Sequence, residues 1–247
     1  SKEEYVMEQT SLSNTKEVSL PVIQPAPQPS VSDQVFNALQ QRILTLELPP
    51  QTKISEADVS KKMGVSRQPV REAFKRLAKL GFLIIRPQSS TMVSLISERD
   101  VLRAKFIRIA LEVHTCRTAC EVITSEGIGA LNDLIAQQRT AVAANDKRRF
   151  HALDEAFHRE ICVQSGVGFV WDLILDSKAH MDRIRMLSLD ATSQRLALDE
   201  HLVILDAITN RKPDEAAAAF AQHLSRIDDL IATIKTENHN WFTDDAK

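Results

Sequence analysis

Four residues in the second half of the chain have the types and spacing of a metal-binding set. Asp154 and His158 stand four apart in HALDEAFHREI, so both project from one face of one helix. His201 follows Glu200 in DEHLVILDAI, and His223 lies in AAAAFAQHLSRI. Each sits beside an apolar stripe and is directed partly inward. Three imidazoles and one carboxylate suit a divalent ion, with Zn the first expectation and Ni, Cu, Fe or Mn compatible. Each histidine taken alone reads more readily as a hydrogen-bonded core residue. Spacing along the chain does not by itself bring three helices to one point.

A second set lies in VSRQPVREAFKRLAKLGFLIIRP, residues 65–87. Ser66 is a natural N-cap, and Pro69 falls in the first turn, where a missing N–H costs little. Val70, Phe74, Leu77 and Leu80 form one apolar face, and Arg67, Arg71 and Lys75 share another. Gly81 ends the helix and Phe82–Ile85 has strand character. The second helix of a helix-turn-helix directs its early residues at base edges, where Arg pairs with guanine and Gln with adenine. Charge alone would better suit a solvated surface helix; the order of the surrounding elements reverses that in favour of DNA.

That order is legible upstream and downstream. Ser32-Asp33 is expected to open a first helix reaching about Leu46, with Val35, Leu39 and Ile43 inward. Pro49-Pro50 forbids further helix. Ser55 with Asp58 resembles a capping box before a helix over 56–63, which Gly64 ends. After the strand at 82–86, PQSST makes a hairpin tip and 92–95 returns. Three helices and a hairpin make a winged helix-turn-helix. From Ser97 the pattern is all helical, with about six helices near 98–123, 126–143, 146–164, 168–189, 192–210 and 213–236. The fold class is therefore mainly α, divided into a flexible arm (1–30), a winged head (31–96), a helical body (97–236) and a tail (237–247).

Charge follows the same division. The chain of 247 residues has a formal net charge of −2, but residues 31–97 carry +5, residues 98–247 carry −5 and the first thirty carry −2. Only the head is suited to phosphate. The three cysteines give no disulfide framework. Cys116 and Cys120, one helical turn apart, read as buried thiols. No apolar run approaches a membrane span and no signal peptide is visible, so a cytoplasmic protein with no membrane partner is expected.

Residues 31–95 resemble the DNA-binding domain of the GntR family of bacterial transcription regulators. LPP at 48–50, ISEADV at 54–59 and above all GVSRQPVREAFKRLAKLGFL at 64–83 carry the resemblance. It implies that Ser66, Arg67, Gln68, Arg71 and Lys75 meet DNA, Ser66 at a phosphate and Arg67 and Arg71 at bases. Three positions depart from the family: Gln88-Ser89-Ser90 replaces a glycine-bearing wing tip, Ala57 a common basic residue and Gln51 a common glycine. Residues 98–236 resemble the effector domain of the FadR subfamily, called FCD, in its shorter VanR-type form. Metal-binding members carry D-x-x-x-H, then E-H, then a last H, present here as DEAFH, EH and QH. The resemblance implies Asp154, His158, His201 and His223 as ligands and puts Arg108 at the family's R-x-x-L-E position (RIALE). Arg108, His180, Arg183 and Arg185 are candidates for an effector's carboxylate; each arginine alone better suits an exposed salt bridge, and His180 equally suits a plain surface residue.

The function expected is therefore a non-enzymatic, homodimeric regulator, a repressor in the commoner family mode. It would bind a palindromic operator in double-stranded DNA and respond to a small organic acid held at the metal. A purely structural metal clamp ranks next. A metalloenzyme ranks last, because Glu155 and Glu200 adjoin ligands in sequence and so point away, leaving no general base.

Overall fold

The structure, a computed structural model, describes residues 28–86 and 90–244. The arm before Gln28 and the wing tip at 87–89 lie outside the described residues. The head comprises α1 (Val31–Leu44), β1 (Lys53–Ile54), α2 (Glu56–Met63), α3 (Arg67–Lys79), β2 (Leu83–Ile85) and β3 (Thr91–Val93). The strands form an antiparallel sheet in the order β1-β3-β2, with Lys53 opposite Met92 and Leu83 opposite Val93. The stripes read from the sequence fill its core: Val35, Leu39, Ile43, Val70, Phe74 and Leu77 are buried together with Phe82 and Val93.

The first helix starts earlier than the sequence suggested. Ser30 is its N-cap, and Ser30 and Asp33 bond reciprocally in a capping box, so Asp33 belongs to the third helical position. The expected box at Ser55 closes on one side only, by the Asp58 N–H to Ser55 Oγ at 3.0 Å. Gln51, where the family carries glycine, has φ +71°, a left-handed conformation that disfavours a side chain.

The body is an all-α bundle: α4 (Glu98–Val122), α5 (Ser125–Ala143), α6 (Lys147–Gln164), α7 (Val170–Leu175), α8 (Ala179–Ser188), α9 (Ala191–Thr209), α10 (Pro213–Ser225) and α11 (Ile227–Glu237). Phe150, Phe157, Phe220, Leu131, Ile204 and Ile208 form its principal core. Two expected single helices are each divided. In 168–189 the break falls at 176–178, where the Ser177 hydroxyl donates to the Ile174 carbonyl and competes with the helical ladder. In 213–236 the break falls at Arg226, whose N–H reaches back only three residues, to His223 O at 3.4 Å. Both breaks matter below, because they aim α8 and Arg226 at the metal set.

Head and body meet through α8 and through the connecting segment Ser94–Ser97. Ala179 of α8 is part of the head's core. The chain after α11 turns through His239–Trp241, buries Phe242, and pairs with the connection by Ile96 N–H to Trp241 O (2.7 Å) and Thr243 N–H to Ile96 O (3.0 Å). No helix among the described residues is long and apolar enough to cross a membrane.

Candidate metal centre and nucleic-acid interface

Helices α6, α9 and α10 bring the four predicted ligands together. Asp154, His158, His201 and His223 are all buried, and each offers one ligand atom within 4.8 Å of the others. The outer nitrogen of every imidazole is taken. His158 Nδ1 lies 2.5 Å from Glu112 Oε2, His201 Nδ1 lies 2.8 Å from Gln138 Oε1, and His223 Nδ1 lies 2.6 Å from Glu200 Oε2. Carboxylate and amide oxygens only accept, so Nδ1 of His201 and His223 carries the proton; at His158 the donor Arg108 Nη2 also lies 3.0 Å from Nδ1, and the shorter Glu112 contact assigns the proton there too. Each Nε2 then presents a lone pair inward.

Three such nitrogens converge. His223 Nε2 stands 3.2 Å from His158 Nε2 and 3.3 Å from His201 Nε2. Asp154 Oδ1 lies 3.3 Å from His201 Nε2, yet it is buried with no well-formed hydrogen bond. Nitrogens about 2.0–2.1 Å from one tetrahedral ion stand roughly 3.3 Å apart, so the spacing fits a shared ion. Acceptors packed against acceptors are otherwise costly, and a cation satisfies all of them at once.

Electrostatics support the same reading. Burial opposes ionisation of Asp154, but Arg185, His158 and His201 overcome it and hold the carboxyl well below its usual range. Glu112, fully buried, is brought down to about 2, because Arg108 and His158 outweigh desolvation. Burial lowers His201, with Asp154 offsetting part of the effect. Burial and the neighbouring imidazoles lower His223 further. His201 and His223 are thus biased toward the neutral imidazole, the form that ligates metal.

Beside the centre runs a narrow cavity of about 40 Å³, lined by Arg108, Arg185, Arg226 and His223 with Ser188 and Ser193 and an apolar wall. Of the four residues proposed from sequence for an effector, the structure brings two here. Arg108 donates to Glu112 at 2.5 Å, and Arg185 bonds Asp154 Oδ2 and Glu155 Oε1. His180 and Arg183 stand instead at the junction with the head. His180 Nδ1 accepts from the Ser97 N–H (3.3 Å), and Arg183 donates to Ser94 O (2.8 Å). Arg183 is buried, its other two nitrogens lack partners, and desolvation lowers it to about 10.

Sequence reasoning missed four residues. Glu112 had a signal, the i,i+4 spacing from Arg108. Arg226 lies three residues after His223. Glu200 does point away from its neighbour His201, as expected, but it reaches His223 on α10. Gln138 had no signal at all. A second cluster, His151, Glu155 and Asp182, is filled by Lys178, whose Nζ lies 2.5 Å from both Glu155 and Asp182.

The predicted nucleic-acid face is exposed. Ser66, Arg67, Gln68, Arg71 and Lys75 all lie at the surface of α3. Ser66 is its N-cap but makes no side-chain cap bond, and its first turn has no acidic residue. A helix N-terminus left uncapped and uncountered favours a phosphate. Arg71 donates to Glu56 of α2 at 3.1–3.3 Å, and Gln68 to Glu72 at 3.1 Å.

The model of bacterial regulatory proteins of the gntR family matches residues 31–93, and that of the FCD domain matches residues 105–226. The HTH-type transcriptional repressor RspR of Escherichia coli is 36% identical over 220 residues, covering 89% of this chain and 96% of that protein. The chain belongs to the GntR family. Within GntR proteins, its FCD body places it with the FadR- and VanR-like members. The Nta operon transcriptional regulator of Aminobacter aminovorans is a further relative, 29% identical over 75% of this chain and 87% of that one. The solved structure of E. coli McbR/YncC has the same fold, with a TM-score of 0.71 at 20% identity over 83% of this chain and 99% of that one.

Proposed function

We propose that this GntR protein is a homodimeric transcriptional repressor whose hold on a palindromic operator is set by a small organic acid at a metal-bearing pocket. The convergence of Asp154, His158, His201 and His223 beside a cavity lined by three arginines carries the reading. Those four side chains hold a divalent ion, with zinc the first candidate, and the ion supplies open positions for carboxylate oxygens. Arg108, Arg185 and Arg226 supply guanidinium partners for the rest of the acid. On the head, Arg67 and Arg71 read bases, Gln68 reads a base edge, and Ser66 and Lys75 hold phosphates.

The cavity has room for about three waters, so an entering acid must spread α8 from α10 and α11. α8 is also the helix that holds Ser94 and packs Ala179 into the head. Acid binding therefore reorients the head, provided the acid binds the two arrangements differently. RspR carries the name repressor, which supports that sign of regulation.

A thermal-melt screen against mono-, di- and tricarboxylates, before and after chelation, tests this. Ligand binding to the folded state raises Tm by mass action. One acid should stabilise the protein, and chelator should abolish the shift. Chelation that lowers Tm while no acid shifts it would leave a structural clamp in place of an effector site.

A further inference from the structure

Each cavity arginine shares its carboxylate with the metal set. Arg226 Nη1 donates at 2.9 Å to Glu200 Oε2, the same oxygen that takes His223 Nδ1 at 2.6 Å. Arg108 bonds both oxygens of Glu112, at 2.5 and 3.4 Å, and Glu112 Oε2 takes His158 Nδ1 at 2.5 Å. Arg185 bonds Asp154, which is itself a candidate ligand. Three cations on the cavity wall thus compete with the metal-facing side chains for three anions.

We infer that Glu200 and Glu112 are positioning residues that make metal affinity depend on what occupies the cavity arginines. The inference rests on the metal reading above. A carboxylate that accepts the Nδ1 proton fixes the ring and makes Nε2 a stronger donor to metal. A guanidinium on the same oxygen withdraws part of that negative charge. An anion that draws Arg226 or Arg108 to itself returns the charge to the imidazole and tightens the metal. Reciprocity then requires the metal to tighten the anion by the same factor. The pocket reports the two ligands jointly, and neither alone fills it at the affinity they reach together.

The metal alone suffices for the test. Full-length protein, stripped with chelator at pH 8, is titrated with Zn²⁺ against a chromophoric chelator. Glu200→Gln keeps an acceptor for His223 and removes the charge; it should weaken Zn²⁺ about 10-fold, the lower end for such supporting groups. Arg226→Gln should act the other way and tighten Zn²⁺ a few-fold. Both side chains are about one-fifth exposed, so the fold tolerates the changes, which circular dichroism verifies. A role confined to packing gives two variants that both weaken the metal or both leave it alone, and either result overturns the inference. Asp154→Ala separates the two levels: if it too binds Zn²⁺ like the parent chain, the metal reading itself falls. If it loses Zn²⁺ while Glu200→Gln does not, only the coupling falls.

Discussion

Arg71 in the head and Arg108 in the body are both bonded to a glutamate, and the two pairs do different work. The Arg71–Glu56 side chains are 50% and 33% exposed, whereas those of Arg108–Glu112 are 2% and 1% exposed. An exposed pair of this kind contributes about 0–1 kcal/mol, so DNA can take Arg71 from Glu56 at little cost. A buried pair cannot be opened without stranding a charge in a low-dielectric interior. On the proposed reading, the head keeps its cations exchangeable for phosphates and bases. The body fixes its charges in place, and only a ligand that offers equivalent charge can rearrange them.

That contrast can be broken at several points. Asp154→Ala should weaken Zn²⁺ by more than the roughly 10–100-fold typical of supporting residues, since it removes a proposed ligand; titration against a competing chelator measures it. Glu112→Ala should destabilise the fold by about 3–5 kcal/mol in urea denaturation, because Arg108 is left buried and unpaired. Arg67→Ala or Arg71→Ala should cost about 1–3 kcal/mol in operator affinity with Tm nearly unchanged. If Arg71→Ala instead unfolds the protein as Glu112→Ala does, the contrast fails; unchanged operator affinity removes Arg71 as a base reader.

Smaller effects sharpen the same comparison. The lowered His201 and His223 bind fewer protons folded than unfolded, so stability rises with pH through that window. It is fully present above the unfolded value of about 6.5 and is lost as pH falls below it toward their depressed values. A second loss should follow below about 4.5, where the unfolded carboxyls take up protons that Glu112, down at about 2, and Asp154 refuse. Chelated protein should show both steps in a pH series of denaturation curves. In the head, Gln51→Gly relieves a left-handed residue worth about 1–2 kcal/mol, partly offset by glycine's flexibility. A Tm gain of a few degrees is expected, with no change in Zn²⁺ affinity.

The head was almost fully legible in the sequence because its signals are local. Caps, Pro49-Pro50, Gly64, Gly81 and the apolar stripes each fix an element within a few residues. The four clustered residues were legible as residue types, but the convergence of α6, α9 and α10 came only through the family resemblance. The supporting layer was legible least. Gln138 reaches His201 from another helix, and no spacing rule connects residues 63 apart. The two helix breaks were missed because neither uses glycine or proline: one rests on the Ser177 hydroxyl and the other on a tightened turn at Arg226. His180 and Arg183 had the chemistry of effector contacts, but their position on α8 directs them to the connection at Ser94–Ser97.

The pairing of Ile96 with Phe242 also has a consequence for synthesis. The two partners are separated by roughly 150 residues, made at about 5–20 residues per second. The head's own segments, complete by Val93, therefore emerge about 7–30 seconds before the segment that clasps its joint exists. During that interval its orientation is unconstrained by the clasp, and the joint closes only when Trp241–Thr243 arrives. The joint between head and body is therefore completed only after the whole helical body has been made.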